Sequence, residues 1–174
     1  MRIVRSVLLA LSLAACSAGL PGAVPTGPAP VKTTTRPVAT LPSIGVEASV
    51  VRVVDGDTIV VAIGPPKGTK VRLIGMDTPE RNQCLFQAAT QRMRSLVEGK
   101  RVRLVRDVSS TDRYGRLLRY VYVGDVFVNG VMVSDGYANA ATFPPDVAHA
   151  REFVALERIA RAAHRGLWAG NCVA

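Results

Sequence analysis

The chain has 174 residues, with 22 Lys and Arg against 13 Asp and Glu and a formal charge of +9. At 48% hydrophobic residues it is too apolar for wholesale disorder, and three cysteines are too few for a disulfide scaffold. The length suits one domain with appendages.

Charge is spread unevenly. Residues 1–46 carry Arg2, Arg5, Lys32 and Arg36 and no acid, so residues 47–174 hold the other 18 basic groups and all 13 acidic ones, a balance of +5. That surplus either serves solubility or attracts polyanions such as nucleic acid or anionic lipid.

Arg2 and Arg5 precede the apolar run Val7 to Ala15, which ends in Leu13-Ala14-Ala15-Cys16. A basic start, a short apolar stretch and small residues before a cut site mark residues 1–16 as a secretory signal, too short to span a bilayer as a mature helix. The four residues ending at Cys16 resemble the bacterial lipobox, which implies a lipid-anchored cysteine and attachment to a membrane. An ordinary signal peptide is the alternative, and either one exports the protein to the cell envelope or beyond. Residues 17–46, rich in Pro, Gly, Thr, Ala and Val without helical or strand period, read as a linker. Its r.m.s. reach as a flexible coil is on the order of 30 Å, enough to hold a domain clear of a surface.

Residues 47–174 form the domain. β-Branched and alternating runs at Ala48–Val54, Thr58–Ile63 and Lys70–Gly75 predict three strands, joined through Asp55-Gly56-Asp57 and a Gly64–Gly68 turn. Leu85, Ala89, Met93 and Leu96 recur at helical spacing, and Gly99 stands where a C-terminal cap belongs. Lys100–Arg106 and Leu117–Val123 alternate again. A short helix is expected near Gly130–Gly136. A longer one, from about Asp146 to His164, is expected to turn Val147, Phe153, Leu156, Ala160 and Ala163 inward, bracketed by Pro144-Pro145 and Gly166. Strands with one helix inserted between the third and fourth match an α+β arrangement, a five-stranded OB-type barrel with three helices; such barrels commonly bind oligonucleotides. Fold alone does not assign function.

Asp55, Asp57, Asp77 and Glu80 fall at or beside predicted strand ends. Acids there are often only turn formers. If their strands are neighbours, Asp57 and Asp77 converge as hard oxygen ligands for Ca²⁺, with carbonyls and water completing a weak extracellular-type site. Arg72 and Arg116 offer guanidinium forks that match phosphodiester oxygens. Together with Glu80 as a base for water, these groups supply what phosphodiester hydrolysis requires.

The chain resembles the staphylococcal nuclease (thermonuclease) family over roughly Val50 to Trp168. The resemblance rests on Val54-Asp55-Gly56-Asp57-Thr58, Arg72-Leu73-Ile74-Gly75-Met76-Asp77-Thr78-Pro79-Glu80, Thr111-Asp112-Arg113-Tyr114-Gly115-Arg116 and Gly166-Leu167-Trp168. It implies an OB-fold barrel and Ca²⁺-dependent cleavage of DNA or RNA to products ending in 3′-phosphate. By motif, Asp57 and Asp77 would be metal carboxylates, Thr78 would offer its carbonyl, and Asp55 would be an outer acid. Glu80 would activate or orient the attacking water. Arg72 and Arg116 would hold the phosphate, with Arg113 and Tyr114 beside the substrate. The connection between Glu80 and the first helix is shorter than the Lys-rich loop of the staphylococcal enzyme. The segment Tyr137–Pro144 lacks that enzyme's paired tyrosines, which leaves Tyr114 and Phe143 as stacking faces.

Export to an oxidising compartment makes a Cys84–Cys172 bridge the expectation, against an alternative of two buried thiols. A zinc site is disfavoured because neither cysteine has a second ligand at metal spacing. His149 and His164, expected on the last helix, read as structural or surface groups. The function expected is an exported Ca²⁺-dependent nuclease, acting as a monomer on DNA or RNA without a protein partner. A non-catalytic nucleic-acid-binding OB-fold lipoprotein is the alternative; an envelope lipoprotein holding anionic surface polymers is a third possibility.

Overall fold

The computed structural model describes residues 45–64, 68–170 and 172. The signal segment with Cys16, the linker up to residue 44, and residues 65–67 of the second turn lie outside the described residues.

Five strands close into a barrel: β1 (Val46–Val53), β2 (Thr58–Ala62), β3 (Thr69–Leu73), β5 (Arg101–Val105) and β6 (Leu117–Val123). Around it the order runs β3-β2-β1-β5-β6, and β6 pairs in parallel with β3 to complete the ring. This is an OB-type α+β fold with three helices, α1 (Phe86–Val97), α2 (Val128–Ser134) and α3 (Ala150–Ala162). β1 carries an irregularity between Val50 and Arg52, a device that bends a strand and sharpens its twist where a small barrel must close.

The alternating patterns have a direct physical outcome. Ile59, Val61, Val71, Leu73, Leu104 and Val121 are all fully or almost fully buried in the barrel. Each such side chain contributes about 1.5–3 kcal/mol relative to exposure. Helix α1 covers the barrel with Ala89, Met93 and Val97, one apolar residue per turn. Helix α2 presents Val128, Met132 and Val133 and also buries Asn129 completely. The Asn129 amide satisfies itself by joining three segments: Oδ1 accepts from the Val121 amide (2.8 Å), while Nδ2 donates to the carbonyls of Ile74 (2.9 Å) and Arg119 (3.4 Å).

The last helix differs from its sequence expectation. It begins at Ala150, because the Asp146 carboxylate accepts the amides of Val108 (3.0 Å) and Ser109 (2.8 Å) and holds the stretch before the helix in a loop. Phe153 and Ala160 are buried and Leu156 is partly buried, as the period implies. Val147 and Ala163, expected inside, face solvent. His149 precedes the helix instead of lying on it, with its ring 4.5 Å from Tyr120 and its Nδ1 2.7 Å from Glu152 Oε2. His164 follows the helix at a left-handed φ of 49°.

Two short strands, β4 (Met76–Asp77) and β8 (Asn139–Ala140), pair antiparallel outside the barrel, and β7 (Val126–Phe127) extends β6. The β4–β8 ladder places Asp77 opposite Asn139. Gly75, just before it, has φ +80°, and a Cβ there would collide with the Phe153 ring. Only glycine lets the chain turn from β3 into β4 this close to α3.

Candidate active site

The first carboxylate is set by a turn. Between β1 and β2 the Val54 amide donates to the Thr58 carbonyl at 2.9 Å, and the Asp57 carbonyl accepts the Leu73 amide at 2.8 Å. Asp57 is thereby tied to the end of β3, and the residue is almost fully buried, 3% exposed. A charge at that depth must be paired and hydrogen-bonded. Thr58 Oγ1 donates to Oδ1 (3.0 Å), and Thr78 donates to Oδ2 from its amide (3.2 Å) and its hydroxyl (2.8 Å). Arg72 Nη1 completes the set as an ion pair with Oδ1. Thr78 comes this close because residue 56 is glycine; a Cβ there would lie 2.8 Å from the Thr78 side chain.

Arg72 is opposite Thr58 in the β2–β3 register, which aims its guanidinium at the base of the turn. Its second nitrogen, Nη2, lies 2.7 Å from Asp77 Oδ1. One cation thus sits between two carboxylates that are 20 residues apart in the chain. Asp55 supports this arrangement from outside: its Oδ1 accepts the Asp57 amide at 3.2 Å.

Arg116 is held separately. The turn from Asp112 to Arg116 closes with Gly115 at φ +75°, and the Asp112 carboxylate accepts the amides of Tyr114 (2.9 Å) and Arg116 (3.0 Å) together with Arg116 Nε (2.6 Å). Burial alone would raise the Asp112 pKa. The bonds from the Arg116 side chain and from the Arg116 and Tyr114 amides outweigh it and hold the carboxyl below its ordinary 3.8. In the parallel β3–β6 register Arg72 pairs with Leu118, and Arg116 lies two residues before it, on the same face. Arg72 and Arg116 accordingly line one cavity of about 280 Å³ with Asp112, Leu118 and Phe143 on its wall. Phe143 is 65% exposed there and offers an open ring. The exposed Tyr114 ring is flanked by the guanidiniums of Arg113 (4.8 Å) and Arg116 (5.5 Å), and Arg113 Nη2 donates to its hydroxyl at 2.7 Å.

The structure therefore brings together Asp57, Asp77, Thr78 and Arg72, with Asp55 behind them and Arg116 across the cavity from Arg72. Thr78 meets this group through its amide and hydroxyl. Glu80 stands on the same loop but is exposed; its amide donates to Gln83 Oε1 at 2.7 Å, and its carboxylate makes no hydrogen bond or ion pair with the described residues. Cys84 and Cys172 form a disulfide with Cα atoms 5.6 Å apart, and Cys84 is exposed, so the alternative of two buried thiols does not hold. The bridge and Leu167 border a second cavity of about 610 Å³ that also touches Asp77 and Thr78. Asp112 and Asp146 are positioning residues that the sequence reading did not single out. For Asp112 the available signal was an acid four residues before an arginine; Asp146, whose partners are loop amides, had none.

The donors around Asp57 and Asp77 are hard oxygens, and a cationic group already lies between the two carboxylates. This set fits a divalent cation such as Ca²⁺. Among the described residues no cluster of three or more His, Cys, Asp or Glu occurs, so such an ion would have to complete its shell with carbonyls and water.

Comparison with known proteins identifies relatives of this chain. The family described as staphylococcal nuclease homologue matches residues 70–170. A thermonuclease of Staphylococcus intermedius is 39% identical over 101 residues, covering 55% of this chain and 60% of that protein. An uncharacterized endonuclease of Escherichia coli O157:H7 is 38% identical over 128 residues, 71% of this chain and 77% of the relative. A thermonuclease of Staphylococcus hyicus is 31% identical over 125 residues, 68% of this chain and 73% of the relative.

Proposed function

The chain belongs to the staphylococcal nuclease family, and we propose that it is a Ca²⁺-dependent nuclease that hydrolyses phosphodiester bonds of DNA or RNA to products ending in 3′-phosphate. One observation carries the reading. Arg72 joins the two carboxylates to a cavity that has a second arginine, Arg116, on its wall. Carboxylates for a hard cation and forks for a phosphate thus share one group.

Asp57 and Asp77 would hold the ion, with the Thr78 carbonyl and waters completing its shell. When bound, Ca²⁺ supplies charge neutralisation beside the scissile phosphate. With the charge of Asp57 and Asp77 balanced by the ion, Arg72 would be free to turn its fork to the phosphate oxygens. Arg116, prepositioned by Asp112, stabilises the charge that grows on those oxygens in the transition state. Glu80 takes a proton from water, whose oxygen attacks phosphorus; the bond from phosphorus to the 5′-oxygen breaks, and the 5′-oxygen leaves with a proton drawn from a second, solvent water. Phe143 and Tyr114 present ring faces to the bases on either side of the phosphate.

The N-terminal features support an exported protein with a signal over residues 1–16, an anchor at Cys16 and a linker over 17–46, from which the domain of 47–174 acts on nucleic acid outside the cytoplasm. Mass spectrometry of the products from a defined oligonucleotide tests the chemistry. Fragments with 3′-phosphate and 5′-hydroxyl ends are expected; 5′-phosphate ends would assign the leaving group to the other oxygen and overturn the mechanism.

A further inference from the structure

We infer that the outer face of α3 is a second binding site for the polynucleotide, a groove that takes the sugar-phosphate backbone of the strand as it leaves the active-site cavity. The inference rests on the nuclease reading above and extends it.

Arg151, Val154, Ala155 and Arg158 share one face of α3 and, with Thr142, line a groove of about 400 Å³. Arg151 and Arg158 are exposed, and among the described residues neither has an acidic partner. The acids of α3 are engaged elsewhere: Glu152 with His149 at 2.7 Å and Glu157 with Arg161 at 3.3 Å. The two free guanidiniums are seven residues apart, about 10 Å along the helix axis. They present bidentate phosphate donors on either side of an apolar floor, where Val154 is 43% exposed. A chain with charge at intervals and apolar sugars between them matches that alternation; a purely apolar partner would bury two unpaired cations.

The groove adjoins the active-site cavity, with one short segment between them. The segment 139–143 runs antiparallel to Gly75–Asp77, with Asp77 opposite Asn139 and the Ala141 amide donating to the Gly75 carbonyl at 3.1 Å. It then delivers Phe143 to the wall of the arginine cavity and Thr142 to the wall of the α3 groove. Adjacent residues of one exposed ridge thus border both sites, and a strand held at Arg72 and Arg116 has only that ridge to cross.

The test uses the double variant Arg151→Gln/Arg158→Gln and a charge-matched control, Arg52→Gln/Arg101→Gln, whose residues are exposed on β1 and β5. Binding of a fluorescent oligothymidylate in chelator is followed by anisotropy across a salt series, and cleavage with Ca²⁺ is measured on that strand and on a dinucleotide. The groove variant is expected to bind the long strand roughly tenfold more weakly at low salt, with a salt slope shallower by about 1.4 for two lost phosphate contacts. Its kcat/KM on the dinucleotide should equal that of the wild type. An unchanged salt slope, equal losses on the dinucleotide and the long strand, or an equal loss in the control would overturn the groove and leave the nuclease reading standing. A wild-type protein that binds the strand and loses it in the groove variant, yet never cleaves, would overturn the nuclease reading alone; one that neither binds nor cleaves overturns both.

Discussion

Arg72 Nη2 lies 2.7 Å from Asp77 Oδ1 while its other terminal nitrogen pairs with Asp57, so a single guanidinium holds the two acids that a cation would need. Two carboxylates brought together without a positive charge repel each other. The arginine keeps them assembled, and under the proposed function it would exchange its place for the ion.

A thermal-shift titration follows from this exchange. Ca²⁺ at about ten times its dissociation constant adds about 1.4 kcal/mol of stability to a folded state that binds it. The wild-type midpoint should therefore rise by a few degrees. Asp57→Asn and Asp77→Asn should show no rise, whereas Arg72→Gln should keep it while losing cleavage. A normal Ca²⁺ shift in Asp57→Asn would place the ion elsewhere.

Glu80→Gln should lower kcat by at least about 100-fold, the contribution typical of a general base. Its folding should be unaffected, because Glu80 is exposed and its hydrogen bond to Gln83 comes from the backbone amide. Steady-state rates beside a melting curve check both halves, and a turnover within a few-fold of wild type would remove Glu80 from its assigned role.

Reduction of the Cys84–Cys172 bridge, whose partners are 88 residues apart, should cost about 4–5 kcal/mol by the chain-entropy relation. The bridge starts four residues after Glu80 and ties the C-terminal segment to that loop. Cys84→Ser/Cys172→Ser should melt well below the oxidised wild type, and dithiothreitol should lower the wild type but not the variant. Equal midpoints with and without reductant would show that the bridge adds nothing.

Asp112 yields a pH prediction. Its folded-state pKa is held below the ordinary 3.8, so its contribution is present above that value and is lost as pH falls through the lower folded one. Denaturant midpoints of Asp112→Asn should lie below those of wild type at neutral pH. The gap should narrow as both are taken from about pH 5 towards pH 2, across the carboxylate range. A gap constant over that range would mean that the Arg116 clamp works through shape instead of charge.

Much of this architecture is legible in the chain, for identifiable reasons. Val71 and Leu73 are buried on either side of the half-buried Arg72, because a barrel wall turns every second residue inward, and β2 is a β-branched run buried from Thr58 to Val61; such runs announce themselves. The β4–β8 ladder is two residues per strand, too short for any period, and its pairing depends on Gly75 meeting Phe153 from α3. Val147 reads as interior from its helical spacing, but Asp146 spends its carboxylate on amides of the Val108 segment and the helix starts later. Asn129 carries no sequence mark of its role, since its partners are carbonyls and an amide from two segments remote from α2. At the site, the residue types and their neighbouring strands suggest that Asp57 and Asp77 meet. That Arg72 bridges them is a product of the β2–β3 register and of the turn after β3, which no local pattern encodes.

Ca²⁺-dependent hydrolysis is read out by the release of acid-soluble nucleotides from DNA by the purified protein, measured with Ca²⁺ and again with excess chelator. Steady release with Ca²⁺ and none with chelator is the expected outcome. Release that is absent in both, or equal in both, would contradict Ca²⁺-dependent hydrolysis.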